Sequence, residues 1–358
     1  MPSARLPMIL AGVLGLQLVL VLLGALGSDD LGVTTGGEPL VELTPAEVDQ
    51  IVISDAEKSI TLYRESGESG QRERFRVAEA EGFPASQTEV ERLLERIAEL
   101  RPGFPVARTS GAAERFKVAD DAFERRVVLR RDGSDLVELL VGTSPGLRQS
   151  HVRVDGSDDI YVAELPTFEL SPASEDWVDT EALYRDPAKL AGVDVGDAIS
   201  LRRVEGAWQL SDLPEGQTTD AAQARSLVDK VARIRIDAVL GKIALSEYRQ
   251  NEPTLRIALA PVEGAPIELV VSQVEGETDY VLKASDLEHY VRVTSAAVGA
   301  IQSATRSALS KTVEPDSAAD APDAGTSEAA SAGMDETTDD GATVDAPTSA
   351  DEPPAAQP

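Results

Sequence analysis

The sequence predicts an α+β protein: an N-terminal transmembrane helix, two tandem repeats that each pair a mainly antiparallel sheet with one amphipathic covering helix, and a disordered acidic tail. Three observations carry this. Residues Leu6 to Gly27 form an apolar run in which only Gln17 is polar. Two later segments repeat one apolar stripe behind one kind of helix start. After Lys311 there is no Lys or Arg, while twelve acidic residues lie between Glu314 and Glu352. The full 358 residues suit about two domains at roughly 150 residues each.

The N-terminal run has 22 residues, which at about 1.5 Å each reach roughly 33 Å, the thickness of a bilayer core. Arg5 precedes it and Asp29 and Asp30 follow it. Positive charge stays inside, so the expected topology is a single pass through the cytoplasmic membrane with the bulk of the chain on the periplasmic side. Residues 6–27 then make the membrane itself a partner. The alternative is a cleaved signal peptide, because Ala25-Leu26-Gly27 before Ser28 has the small-x-small pattern of a cleavage site. The Gly-, Thr- and Asp-rich stretch that follows reads as a flexible stalk, 28–47.

The repeat shows first in two helices. Ser86 and Glu89 have capping-box spacing, and Val90, Leu93, Leu94, Ile97 and Leu100 follow. Asp220 and Gln223 take the same places before Ala224, Leu227, Val228, Val231 and Ile234. Counted from the cap, the two stripes are in identical register, which puts each on one helix face.

The flanks repeat as well. Before the helices come Ile60-Thr61-Leu62-Tyr63-Arg64 with Phe75-Arg76-Val77, and Ile199-Ser200-Leu201-Arg202-Arg203 with Trp208-Gln209-Leu210. After them come Phe116 or Tyr248, then hairpins starting at Val127 and Ile257, each with a Gly in its turn. Two closing strands follow, with Tyr161-Val162 and Tyr290-Val291 expected in one slot. Each module therefore reads strand, strand, helix, four strands. The expected modules are 48–170 and 195–302. The junction 171–194 carries Trp177, Leu183, Tyr184 and Leu190, and reads as a short helix packed between them. The C-terminal end, 303–358, contains from Thr312 onward an acidic tail too poor in large apolar residues to offset the entropy of ordering.

Composition excludes much chemistry. A formal net charge of −30 repels nucleic-acid phosphates, so no nucleic-acid partner is expected. The absence of Cys removes disulfides, thiolate metal sites and Cys nucleophiles. With two histidines, His151 and His289, at non-equivalent places in the repeat, no His-rich metal site is available. Asp158-Asp159 and the alternating Glu275, Glu277 and Asp279 read as hairpin turns. Phe75 and Trp208 read as core, and the pairs Arg125-Arg126, Arg130-Arg131 and Arg202-Arg203 as ion-paired strand surface. No catalytic residue, cofactor site or metal site is assigned, and the expectation is a protein that is not an enzyme.

The order of these features resembles the domain-of-unknown-function 4340 family of bacterial membrane-associated proteins over roughly Val48 to Gln302. The likeness rests on the hydrophobic N-terminus, Ile51-Val52-Ile53 with the Ile60 strand, the Phe75 strand with its capped helix, Leu140-Val141-Gly142, Ile160-Tyr161-Val162, the Trp177 to Leu190 junction, and the restart at Ile199 and Trp208. Where that family often has a Tyr-Gly-Leu-x-x-Pro-like turn, this chain has Phe116-Lys117-Val118-Ala119-Asp120. The resemblance implies an accessory role beside an ABC-transporter permease of the gliding-motility type, or an auxiliary subunit of it. It brings no catalytic residues. A module that binds a ligand or an envelope polymer is the alternative, and a hydrolase with an unrecognised site the third.

Overall fold

The structure, a computed structural model, describes residues 38–64, 74–274 and 276–312. The expected anchor at Leu6–Gly27 and the acidic tail lie outside these residues. Among the described residues no helix is long and apolar enough to cross a membrane.

Two sheet-rich halves follow one another. The first contains β1 (Gln50–Ser54), β2 (Ser59–Tyr63), β3 (Arg76–Val77), β4 (Phe83–Pro84), α1 (Gln87–Ala98), α2 (Ser110–Phe116), a small hairpin of β5 (Val118–Ala119) and β6 (Ala122–Phe123), then β7 (Arg125–Arg131), β8 (Ser134–Val141), β9 (Ser150–Val154) and β10 (Ile160–Ala163). The second contains β11 (Leu190–Val195), β12 (Ile199–Val204), β13 (Ala207–Leu210), β14 (Gln217–Thr219), α3 (Ala221–Ala232), β15 (Ala238–Gly241), β16 (Leu255–Pro261), β17 (Ile267–Gln273), β18 (Tyr280–Ala284), β19 (Tyr290–Val293), α4 (Ser295–Gln302) and β20 (Ser310–Thr312).

The sheet orders are β10-β9-β8-β7-β1-β2-β3-β4 and β13-β12-β11-β16-β17-β18-β19-β15, with antiparallel neighbours throughout. Seven strands therefore share one order in both halves. The ladders also match residue by residue. Ile51 lies between Leu62 and Leu129, as Val193 lies between Leu201 and Leu259. Val77 pairs with Leu62 and Leu210 with Leu201. All ten stripe residues of α1 and α3 and their ends are buried, as are Phe75 and Trp208. Apolar residues at period 2 on the strands and period 3.6 on the helices thus meet as one sheet face under one helix.

Several expectations change. Each half has a central strand ahead of the strand-strand-helix pattern: β1, which falls on Ile51-Val52-Ile53 inside the expected 48–170, and β11, which begins before the expected 195. β11 occupies part of the stretch expected to hold a junction helix, and the rest contains the 3-10 turns Ser174–Asp176 and Pro187–Lys189. Gly192 and Asp194 mask the alternation in β11. The stalk expected over 28–47 is structured from Leu40 onward, because Leu40, Val41 and Leu43 pack on the core and the Leu40 amide donates to the Leu100 carbonyl at 2.8 Å. Ahead of the expected tail, β20 pairs with β14, and Leu309 is buried.

The capping box also fails in the first helix. The Ser86 side chain accepts no cap bond, and its amide donates instead to the Trp177 carbonyl at 2.8 Å. Gln87 grips the strand before it: its Oε1 accepts from the Phe75 amide at 2.9 Å and its Nε2 donates to the Phe75 carbonyl at 3.0 Å. Asp220 does cap α3, accepting from Ala222 and Gln223 amides at 3.0 Å each.

Tyr161 and Tyr290 share a strand but not a slot. Ile160 pairs with Arg153 and Tyr290 with Lys283, the residues two beyond Gly142's and Ser272's partners, so Ile160 is the counterpart of Tyr290. The offset is one residue, and a one-residue slip turns a side chain to the other face.

Candidate functional site

The residues weighed for chemistry are scattered. His151 stacks on Phe116, ring centroids 3.9 Å apart, and its Nδ1 is 2.8 Å from the Thr143 carbonyl. His289 packs edge-on against Phe83 at 5.1 Å, and its Nε2–H donates to the Glu81 carbonyl at 3.2 Å. Asp159 is ion-paired with Arg108 and accepts from the Tyr161 hydroxyl at 3.3 Å; burial, first, and this carboxylate hold the Tyr161 pKa above its ordinary value. Asp279 accepts from the Ser295 amide at 3.1 Å, and Glu275 lies outside the described residues. Among the described residues no three His, Asp or Glu side chains come together as a metal site. The arginine pairs are mostly ion-paired: Arg125 to Asp55 at 3.6 Å, Arg126 to Glu138 at 2.6 Å, Arg130 to Asp135 at 2.5 Å, Arg131 to Glu47 at 2.9 Å and Arg202 to Asp194 at 2.6 Å.

His289 sits where the two halves meet. The β3–β4 turn carries Glu81, with φ of 54°, against the β15 edge. Its carboxylate accepts from the Lys242 amide at 2.9 Å while its carbonyl accepts from His289. Nearby, Asp179 donates its amide to the Pro84 carbonyl at 2.9 Å, and Ala85 bridges Val178. The two sheets share one continuous core, from Val41 to Leu309. With Nε2–H committed to Glu81, Nδ1 is the bare nitrogen of the ring, and it is buried without a partner. Burial pushes the His289 pKa below its ordinary value, ahead of the smaller opposing pull of the Glu81 carbonyl. A depressed folded-state pKa means the unfolded chain takes up the proton first. Stability is therefore present above about pH 6.5 and is lost as pH falls toward the folded-state pKa. Melting temperature against pH should show this slope, and His289→Gln should flatten it below about pH 6.5.

One concave feature stands out. A groove of about 1180 Å³ runs beside α3, walled by the β12–β13 hairpin and the Pro187–Lys189 turn. Small residues are prominent in its lining: Ala188, Gly206, Ala207, Ala222 and Ser226. Its cations are Arg203, Arg225, Lys230 and Arg233. None of the four is ion-paired to a carboxylate of the described residues. Arg203 donates to the Ala188 carbonyl, and Arg233 lies 5.7 Å from the Tyr184 ring centre. Asp186 and Asp229 also line the groove, but Asp186 caps the turn by accepting from the Ala188 amide at 2.9 Å.

Sequence reasoning read Arg203 as ion-paired, whereas it donates to the Ala188 carbonyl with no ion pair among the described residues, and it passed over Arg225, Lys230 and Arg233 because they are dispersed along a helix. A signal was present. Counted from Ser86 and Asp220, Glu91, Glu95 and Glu99 of the first helix correspond to Arg225, Asp229 and Arg233 of the second. The same outer face is acidic in one copy and mainly basic in the other.

No curated protein and no solved structure matches the chain. Residues 76–253 match the family described as Domain of unknown function (DUF4340). The match begins in β3 and ends just before β16, so it crosses from one half into the other. Through residues 76–253 the chain belongs to the DUF4340 family.

Proposed function

We propose that the chain is a non-enzymatic accessory protein, anchored in the cytoplasmic membrane by residues 6–27, that works outside the cytoplasm as a scaffold beside an ABC-type transporter. The observation that carries this reading is the duplication within one core: two matched sheets are joined by buried contacts. Sheet edges and the exposed helix faces are surfaces on which partner chains dock. The apolar run at the N-terminus supports the membrane assignment. Anchoring raises the effective concentration of partners in the same membrane, so weak contacts suffice.

Two measurements test it. A reporter active only outside the cytoplasm, fused after Lys311, should be active. Crosslinking in intact cells followed by mass spectrometry should recover a permease or an auxiliary subunit. Recovery of peptidoglycan or outer-membrane proteins alone would replace the transporter role by capture of an envelope ligand.

A further inference from the structure

We infer that the groove beside α3 is a docking site for an acidic peptide segment of a partner protein. The inference rests on the reading of the chain as a binding protein but not on the identity of the transporter. In a chain of net charge −30, most strand arginines sit against carboxylates, yet Arg203, Arg225, Lys230 and Arg233 face one cleft without an ion pair among the described residues. Cations without an internal carboxylate keep donors for one from outside, although Arg203 spends one on the Ala188 carbonyl.

The fold does not impose this charge. The matching helix of the first half carries Glu91, Glu95 and Glu99 on the equivalent, exposed face. Arg225 and Arg233 thus replace the acidic Glu91 and Glu99 of the first half, while Lys230 and Arg203 match the basic Arg96 and Arg64. Arg225 and Arg233 stand about 12 Å apart along the helix, with Lys230 between them and Arg203 across the groove. That spacing matches carboxylates on alternate positions of an extended chain at about 3.3 Å per residue.

The small lining residues Ala188, Gly206, Ala207 and Ala222 leave room for a peptide backbone and short side chains. Of the lining rings, Trp208 is buried, while Tyr184 is 43% exposed and lies against Arg233.

The test uses the purified full chain in detergent and a fluorescein-labelled peptide of about twelve residues alternating Glu and Ala, read by fluorescence anisotropy. Binding should weaken steeply between about 50 mM and about 500 mM salt, and the Gln-for-Glu peptide should not bind. The triple variant Arg225→Glu, Lys230→Glu, Arg233→Glu should lose at least about tenfold in affinity. Glu91→Gln with Glu95→Gln, on the first helix, should change it less than about twofold. Should the charge reversal impair folding, judged by circular dichroism, the Arg225→Gln, Lys230→Gln, Arg233→Gln variant must show the same direction of loss. Equal binding by wild type and variant, or binding of polyphosphate without the Glu–Ala peptide, overturns the inference. A failure to crosslink a transporter would leave this result untouched.

Discussion

Replacing Gly142 by alanine is expected to destabilise the chain by about 3 kcal/mol, seen as a large drop in the urea midpoint. A Cβ at this position would lie 2.0 Å from the Phe116 carbonyl oxygen and 2.3 Å from that of Lys117. Both obstacles are backbone, so no side-chain rotation relieves them. The close approach is held by the Thr143 amide, which donates to the Phe116 carbonyl at 2.8 Å. His151 stacks on the Phe116 ring, which fixes the end of α2 against the sheet. The second half has Ser272 at the equivalent ladder position, buried and donating its hydroxyl to the Tyr248 carbonyl. There the helix has shrunk to the 3-10 turn Ser246–Tyr248, and the backbone stands far enough off to admit a side chain. Both short helices end in the left-handed conformation, at Lys117 with φ of 55° and at Arg249 with φ of 48°. A Gly142→Ala chain as stable as the parent would mean that α2 does not rest on β8.

Phe83→Ala should cost about 3–5 kcal/mol. Phe83 is fully buried in β4 and meets His289 of the other half edge-on. Removing the ring leaves a cavity on the seam between the halves, lined by groups the Glu81 turn holds in place. A double-mutant cycle with His289→Ala should return a coupling of about 0.5–1.5 kcal/mol. The parent should unfold in one denaturant transition, since the two sheets share a core. The Phe83→Ala chain is the one in which that transition should broaden or split. Additive effects at Phe83 and His289 would show that the rings do not couple the halves.

The parts of the fold legible in the sequence are those whose pattern repeats within one element. The stripes Val90 to Leu100 and Ala224 to Ile234 specify helix, face and partner at once, and all their residues are buried. The hairpins at Val127 and Ile257 announce themselves by apolar strands around a glycine, Gly133 or Gly264, and both glycines take positive φ. Of the central strands, β1 showed as Ile51-Val52-Ile53, whereas β11 was hidden because Gly192 and Asp194 interrupt its apolar residues. A clue did precede them: Pro45-Ala46 and Pro187-Ala188 open matching 3-10 turns, to whose alanine carbonyls Arg64 and Arg203 donate. The one-residue offset of Tyr161 against Tyr290 was beyond sequence pattern, because register is set by the ladder and not by which residue is aromatic. The groove needed three elements placed side by side before its charge could be seen.

The position of β1 and β11 bears on how the chain reaches this structure. In each half, β2 to β4 and β8 to β10, or their counterparts, extend from a neighbour adjacent in sequence, so two meanders form by local hairpins. The meanders join only along β1–β7 and β11–β16, where Ile51 meets Leu129, 78 residues away, and Val193 meets Leu259, 66 residues away. Closing such long loops before any reward from pairing is slow, whereas hairpin formation takes microseconds. The rate-limiting event in each half is therefore the zipping of its central seam, with the covering helix, which lies between the meanders in sequence, trapped beneath as the sheet closes. On a nascent chain the first seam is complete once β7 has emerged, well before the second has both its strands, so the halves assemble in turn and the Glu81 turn finds its seat on β15 last.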